Sequence, residues 1–178
     1  NRLVYQEKNK TWVEFFEDIY ILKNNTGFLL RSEVDEWRHL YYYDMNGKLK
    51  KQLTKGEWNV SDIKLVDEEN QKIYFEANKG ERLETHLFVV DFDGDDIEQL
   101  TNIPGTHKVN ISLNGKYFYD SYSNINTPGK LDLNNGDGDL IKNLGDRKSK
   151  IFDEYNLGTT EMFSVKTEDG FDLPAMWV

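Results

Sequence analysis

The chain has 178 residues, of which 38% are hydrophobic and 13% aromatic, and its formal net charge at pH 7 is −10. This acidic balance argues against a nucleic-acid-binding surface, because phosphate binding needs clustered Lys and Arg. The sequence contains no cysteine, which excludes a disulfide framework and a thiolate metal site.

One motif recurs along the chain at a spacing typical of repeat architectures. The segment from His39 to Gly47 returns 47 residues later as His86 to Gly94, and each copy is followed by Gln-Leu-Thr. A looser third copy begins at Lys130, 44 residues after His86. Apolar residues alternate with polar ones in all three copies, and aromatic and β-branched types dominate, which predicts strands.

Each copy belongs to a unit of four predicted strands. The predicted first strands of the three units are Phe16–Leu22, Val60–Val66 and Val109–Leu113. The predicted second strands are Gly27–Ser32, Lys72–Ala77 and Lys116–Ser121. The third strands begin at His39, His86 and Lys130, and the fourth lie around Gln52, Gln99 and Asn143. Asn-Gly and Asp-Gly dipeptides mark tight hairpin turns, because both accept positive φ with little strain.

The fold class is therefore predicted as all-β, an incomplete β-propeller of about three four-stranded antiparallel blades. A β-sandwich of short strands is the alternative. The predicted division is the end of a preceding blade (1–12), three blades (13–57, 58–104 and 105–157) and a crossover segment (158–178). Three blades are too few to close a ring, so we expect a piece of a larger protein.

The histidines suggest structure more than catalysis. His39 and His86 occupy equivalent repeat positions, so we expect structural roles for both. His107 follows Pro104-Gly105 and is predicted to lie in a loop between blades, with no evident partner. The Gly-x-Ser-x-Gly elbow of serine hydrolases is absent from the sequence.

Two acidic stretches have the composition of calcium loops but not the pattern. Asp91–Asp96 lacks the Gly and Glu that an EF-hand needs at its sixth and twelfth positions, so a hairpin turn is predicted. Asn135–Asp139 is interpreted in the same way, and Glu68-Glu69 is predicted to lie in an exposed turn. We therefore expect neither a metal nor a cofactor.

Several segments carry a resemblance to a known family. Glu36–Asp44, Gln52–Val60 and Leu113–Phe118 resemble the β-propeller of dipeptidyl peptidase IV-type serine peptidases. Glu161–Leu173 is similar to the strand by which these enzymes cross from the propeller into the α/β-hydrolase domain. The resemblance implies that the chain is the last three blades of the propeller, with the Ser-Asp-His triad downstream.

The resemblance also implies where substrate contacts lie. The glutamate pair that holds the substrate amine in relatives belongs to an earlier blade, so Glu68-Glu69 is not that pair. The segment after Trp12-Val13 can contribute pocket residues in relatives, which makes Glu14 and Phe15 candidate substrate-binding neighbours. No catalytic residue is expected within this chain.

The function that the resemblance implies is a share in a serine exopeptidase that releases N-terminal dipeptides (Xaa-Pro or Xaa-Ala). The segment would form part of the wall that gates the catalytic chamber, and peptides would be the partners. Other peptidases of this architecture, and a non-catalytic propeller that binds a protein or glycan, are the alternatives. An exported, periplasmic or cell-surface location follows from the resemblance alone. We expect no membrane segment, and association of the isolated chain through its uncovered blade faces.

Overall fold

A computed structural model describes residues 2–10, 12–14, 19–156 and 158–178. In these ranges the chain forms three four-stranded antiparallel sheets and one two-stranded hairpin. In each large sheet the strands follow one another in chain order, so every sheet is a meander. This arrangement confirms the predicted all-β, incomplete propeller of three four-stranded blades.

The strand bounds of the three blades and the hairpin are as follows. The first blade contains β1 Ile19–Ile21, β2 Phe28–Ser32, β3 His39–Tyr43 and β4 Leu49–Gln52. The second contains β5 Val60–Asp67, β6 Lys72–Ala77, β7 His86–Asp91 and β8 Ile97–Gln99. The third contains β9 Thr106–Ile111, β10 Tyr117–Asn124, β11 Thr127–Asn135 and β12 Leu140–Asp146. The hairpin contains β13 Glu161–Lys166 and β14 Asp172–Trp177, and short 3₁₀ segments occur at Lys23–Asn25 and Lys150–Glu154.

The hydrophobic core lies between blade faces: the central strands of the first two sheets are buried on both faces, and the second strand of the third sheet is buried on one. The larger cluster joins the first and second blades and includes Leu29, Leu53, Trp58, Val60, Phe75 and Phe88. A second cluster joins the second and third blades and includes Tyr74, Leu87, Leu100, Val109 and Phe118. A third lies on the outer face of the first blade, where Val4 and Tyr5 pack on Phe28, Leu30, Tyr41 and Tyr43. Burial of large side chains at each junction is what holds successive blades together.

Residues 2–10, predicted as part of a preceding blade, lie against the first blade outside any sheet of the described chain. Arg2 donates to the carbonyl oxygen of Met45 (2.8 Å) and to the side chain of Asn46 (3.0 Å). The carbonyl of Val4 approaches Gly47 at the β3–β4 turn. These contacts anchor the segment; its membership of another blade stays a prediction.

Two predicted elements differ from the structure. The first strand of the third blade spans Thr106–Ile111 and not Val109–Leu113, since Leu113 is 95% exposed in the following turn. The crossover segment forms two strands instead of one, because Asp169-Gly170 makes a tight turn with Gly170 at φ +85°. The amide of Gly170 donates to the carbonyl of Thr167 (2.9 Å) and closes this turn.

Candidate functional site

A threonine just after the last strand of the first blade contacts two groups through its hydroxyl. The hydroxyl of Thr54 accepts a hydrogen bond from the backbone amide of Leu40 (2.9 Å) and lies 3.0 Å from Nδ1 of His39. Nε2 of His39 lies 2.9 Å from the carbonyl oxygen of Gly56. A neutral ring satisfies both contacts, with Nε2–H donating to the carbonyl and Nδ1 accepting from the hydroxyl.

The second blade repeats this arrangement. The hydroxyl of Thr101 accepts from the amide of Leu87 (2.9 Å) and lies 3.2 Å from Nδ1 of His86. Nε2 of His86 lies 3.0 Å from a carboxylate oxygen of Glu84. Both histidines are buried, so the structural roles predicted for His39 and His86 are confirmed.

The third blade lacks this His–Thr contact. By the 44-residue offset, Lys130 and Gly145 stand where the second blade has His86 and Thr101. Asp132 lies two residues after Lys130 on β11, and its carboxylate accepts a hydrogen bond from the side-chain amide of Asn143 on β12 (2.7 Å). A different polar pair therefore joins the third and fourth strands of this blade.

Successive blades are also joined by equivalent backbone hydrogen bonds. The amide of Val60 on β5 donates to the carbonyl of Arg38 (2.7 Å). The amide of His107 on β9 donates to the carbonyl of Thr85 (2.9 Å), 47 residues further along in both partners. We call the first junction seam 1 and the second seam 2.

The prediction that His107 lies in a loop without a partner is wrong. His107 is the second residue of β9 and is 2% exposed. Its Nδ1 lies 2.8 and 2.9 Å from the two carboxylate oxygens of Asp120, and its Nε2 lies 2.7 Å from the carbonyl of Ile103. The strand was missed because its alternation of buried and exposed residues begins at Thr106, directly after the Pro104-Gly105 turn.

The His107–Asp120 pair has the spacing of a catalytic His–Asp dyad but not its surroundings. In a serine hydrolase the second ring nitrogen faces the nucleophilic hydroxyl. Here that nitrogen faces the Ile103 carbonyl, and both residues are buried in seam 2. The pair is therefore structural.

Burial disfavours the charged imidazole of His107, but the hydrogen bond and charge of Asp120 and the hydrogen bond of the Ile103 backbone outweigh it. The net result is a raised pKa for His107. A raised histidine pKa means that the folded protein holds the proton more tightly than the unfolded chain does.

Glu76 supplies a second polar contact across seam 2. Its Oε1 accepts from the amide of Val109 on β9 (2.7 Å) and lies 3.5 Å from Nζ of Lys64. Lys64 also pairs with Asp62 (3.1 Å). Burial raises the pKa of Glu76, and the Val109 amide and Lys64 reduce that shift only in part.

Glu68-Glu69 lies in the predicted β5–β6 turn, but Glu68 has a defined partner. Its carboxylate accepts from the backbone amide of Lys23 at 2.9 and 3.1 Å, which links the second blade to the first. Lys23 opens the 3₁₀ segment of the β1–β2 connection. Glu68 thus has a structural contact between blades.

Both acidic stretches form the predicted hairpin turns. The amide of Gly94 donates to the carbonyl of Asp91 (2.9 Å) in the β7–β8 turn. Oδ1 of Asn135 accepts from the amides of Asp137 (3.1 Å) and Asp139 (2.8 Å) in the β11–β12 turn. Within the described ranges, no group of three or more His, Cys, Asp or Glu is arranged to hold a metal ion. No helix in the same ranges is long and apolar enough to cross a membrane.

The two predicted substrate neighbours lie at the edge of the described chain. Glu14 has an exposed side chain and is the last described residue before the gap that precedes β1. Phe15 lies outside the described residues. The substrate-binding role of both stays a prediction.

A groove of about 970 Å³ lies where the chain passes from the third blade to the β13–β14 hairpin. Asn126 at the β10–β11 turn holds this junction: its Nδ2 donates to the carbonyl of Thr160 (2.9 Å) and its Oδ1 accepts from the Thr160 amide (3.2 Å). Lys148 and Asp153 form an ion pair in the connecting segment (2.8 Å). The contact between Asn126 and Thr160 could not be predicted from the sequence, because β11 and β12 lie between the two residues.

Comparison with known proteins identifies the family. The profile described as "Dipeptidyl peptidase IV (DPP IV) N-terminal region" matches residues 1–129. The chain belongs to this family.

The similar proteins carry the same name. The chain is 29% identical to a dipeptidyl peptidase 4 of Arthroderma otae over 150 residues, covering 82% of the chain and 19% of that protein. It is 27% identical to a dipeptidyl peptidase 4 of Trichophyton rubrum over 177 residues, covering 94% of the chain and 23% of that protein. The chain therefore spans about a fifth to a quarter of the length of these relatives.

The fold is also that of a solved family member. The crystal structure of Porphyromonas gingivalis dipeptidyl peptidase 4 superposes with a TM-score of 0.85 at 23% identity, over 98% of the chain and 25% of that protein. The superposition supports the propeller architecture across all three blades and the hairpin. The chain is thus part of a dipeptidyl peptidase IV-type propeller.

Proposed function

We propose that this chain forms part of the propeller of a serine exopeptidase that releases N-terminal dipeptides, with proline or alanine next to the cleaved bond. The observation that carries the proposal is the match of residues 1–129 to the dipeptidyl peptidase IV N-terminal region. The names of the similar proteins support peptidase activity in the whole protein. Such a reaction is acyl transfer through a serine, with histidine as general base and an oxyanion hole for the tetrahedral intermediate.

The share of this chain in that reaction is architectural. The three blades form part of a wall around the catalytic chamber, and the wall restricts entry to short or unfolded peptide ends. The buried packing between blades supports this role, because a wall must be rigid to exclude a folded protein. Nucleophile and base belong to the part of the relatives that this chain does not span.

The substrate-binding contribution falls to Glu14 and Phe15. The side chain of Glu14 is exposed on the N-terminal side of β1, which leaves its carboxylate accessible to a peptide. In the full-length protein, Glu14→Gln should raise KM for a dipeptide substrate while kcat changes little, because binding and not chemistry is altered. An unchanged KM would remove Glu14 from the pocket.

Dipeptide specificity and gating are tested together on the full-length protein. We expect release from a peptide with a free N-terminus and proline at the second position, and none from its N-acetylated counterpart. The same N-terminal sequence placed on a tightly folded protein should be cleaved far more slowly than the free peptide. Equal cleavage of the acetylated peptide would contradict an exopeptidase, and equal cleavage of the folded protein would contradict the gate.

We also propose that the isolated chain self-associates through the open face of the third blade. A groove of about 500 Å³ there is lined by Ile111, Tyr117, Tyr119 and Leu133, and the tyrosines are about half exposed. Light scattering at high concentration should give a dimer or larger species, which Tyr119→Lys weakens and Leu83→Lys, at an exposed site elsewhere, does not. A monomer throughout would contradict the proposal. An exported, periplasmic or cell-surface location is proposed on the resemblance alone and is testable by fractionation of the source cells.

A further inference from the structure

We propose that the contact between the second and third blades at seam 2 depends on protonation, and that the imidazolium form of His107 stabilises it. This inference goes beyond the proposed peptidase function and does not depend on it. It rests on the hydrogen-bond geometry around three histidines and on a comparison with seam 1.

The surroundings of His107 require two N–H donors. One ring nitrogen faces the carboxylate of Asp120 (2.8 Å) and the other faces the carbonyl of Ile103 (2.7 Å). A carboxylate and a carbonyl only accept hydrogen bonds, and a neutral imidazole has a single N–H. Only the imidazolium satisfies both contacts, and it also supplies the charge that a buried Asp120 needs.

The other two histidines do not share this requirement. Each has a threonine hydroxyl on Nδ1, from Thr54 for His39 and from Thr101 for His86. A hydroxyl can donate as well as accept, so each ring is satisfied when neutral. His107 is therefore distinguished by its partners and not only by its burial.

Seam 1 shows the same junction with an apolar residue at the position of His107. Val60 occupies the position equivalent to His107, and its amide makes the equivalent inter-blade hydrogen bond to Arg38. The ring packed on His39 at this seam is Trp58, with centroids 4.8 Å apart. In seam 2 the ring packed on His86 is His107, also at 4.8 Å. The two seams have one backbone design, and only the second carries an ion pair at this position.

The titratable groups around His107 come from β7, which contains His86, from the segment before β7, and from β10 and β11. Glu84 precedes β7 and binds His86; Asp120 and Tyr122 lie on β10; Asp132 lies on β11. The Tyr122 ring stacks on His107 with centroids 5.0 Å apart. Burial and then a hydrogen bond to Asp132 raise the pKa of Tyr122 to about 12, so it stays neutral across the range in which histidine titrates.

Loss of the proton should weaken seam 2 and leave seam 1 intact. A neutral His107 leaves one ring nitrogen facing an acceptor and leaves Asp120 buried without a countercharge. Because the pKa of His107 is raised in the folded chain, the stabilisation of seam 2 by protonated His107 is complete below the ordinary histidine pKa of about 6.5. This stabilisation is lost as pH rises through the folded-state pKa. Opening should grow by up to tenfold per pH unit within that window and level off beyond it.

The first experiment measures protonation directly. Nitrogen chemical shifts of the three imidazole rings, assigned by through-bond correlation to the backbone, should show His107 doubly protonated at neutral pH. A neutral His107 at pH 7 in the folded chain would overturn the proposal. This measurement uses the unaltered chain and needs no variant in seam 2 to fold.

The second experiment measures opening, with an internal control. Hydrogen exchange of the His107 amide is compared with that of the Val60 amide in the same sample from about pH 6 to 9, each corrected for its intrinsic rate. The protection of His107 relative to Val60 should fall with rising pH in the wild-type chain. The fall should be absent in Asp120→Asn, which keeps an acceptor but removes the charge. A constant ratio in the wild-type chain, or an unchanged fall in Asp120→Asn, would overturn the proposal.

Discussion

At the residue scale, one threonine hydroxyl in each of the first two blades hydrogen-bonds to the third strand from just beyond the fourth. Thr54 satisfies the amide of Leu40 and the ring of His39, and it is almost fully buried. Replacing it with valine keeps the shape and leaves a buried amide without an acceptor. We expect Thr54→Val to lower the free energy of unfolding by about 1–3 kcal/mol.

Thr54→Ser is the matched control, since it retains the hydroxyl and loses only a methyl group. Urea titration followed by tryptophan fluorescence compares the two variants, because Trp58 is buried beside His39. Serine should restore most of the stability that valine loses. Equal losses in the two variants would show that packing of the methyl group, and not the hydrogen bond, is what matters.

Glu76 gives a prediction about pH. Burial raises its pKa above the ordinary glutamate value, so the folded state favours the protonated form. Its contribution to stability is complete below about pH 4.3 and is lost as pH rises through the folded-state pKa. Glu76→Gln keeps an acceptor for the Val109 amide and cannot ionise, so its stability relative to wild type should increase from acidic to neutral pH.

Glu57, which is exposed in the loop between β4 and β5, provides the control variant Glu57→Gln. Thermal or urea unfolding of Glu76→Gln and Glu57→Gln across this pH range separates the buried site from a general change in net charge. The relative stability of Glu57→Gln should stay nearly flat. Parallel curves for the two variants would contradict a raised pKa at Glu76.

The repeat predicted part of these residue-scale features and missed the rest for physical reasons. His39 and His86 could be assigned structural roles because the same residue returned at a 47-residue offset. The His107–Asp120 pair could not, because Val60 stands at the equivalent position of the preceding blade and its pattern gives no hint of a charge. The partner of Glu68 is the backbone amide of Lys23. Every residue except proline has such an amide, so the sequence does not indicate which one a carboxylate binds.

At the scale of elements, alternation and turn dipeptides were enough to place the strands of all three blades. Strand ends were less well defined where a turn residue is apolar, as at Leu113. The β13–β14 hairpin was predicted as one strand, although Asp169-Gly170 is the same kind of turn signal as those used elsewhere. The resemblance to a crossover strand took precedence over that local signal.

Two turn glycines allow neighbouring blades to pack closely. Gly138 in the β11–β12 turn has φ +92° and lies against the carbonyl of Leu100 in the second blade. Gly94 approaches Leu53 of the first blade in the same way. A methyl group at Gly138 would therefore add a collision with a backbone atom to the strain of a left-handed alanine.

Gly80 separates these two costs, because it has φ +97° and nothing within 4 Å of an added Cβ. Gly80→Ala should cost about 1–2 kcal/mol from backbone strain alone. Gly138→Ala should cost a further 1–3 kcal/mol or so from overpacking at the blade junction. Equal losses of unfolding free energy in the two variants would show that the close approach between blades carries no penalty.

At the scale of the whole molecule, the chain is a row of three blades with unlike ends. Residues 2–10 cover the outer face of the first blade, while aromatic and aliphatic side chains remain exposed on the third. This asymmetry accords with a segment that spans about a quarter of the solved family member. The His107–Asp120 pair is occupied by structural contacts.

The most direct test of the account is the release of the Gly-Pro dipeptide from a chromogenic substrate, measured for the full-length protein and for this chain alone under the same conditions. We expect turnover by the full-length protein and none by the chain, because we propose that the blades form part of the chamber wall and that the nucleophile belongs to the rest of the protein. Turnover by the chain alone, or none by a folded full-length protein, would contradict it.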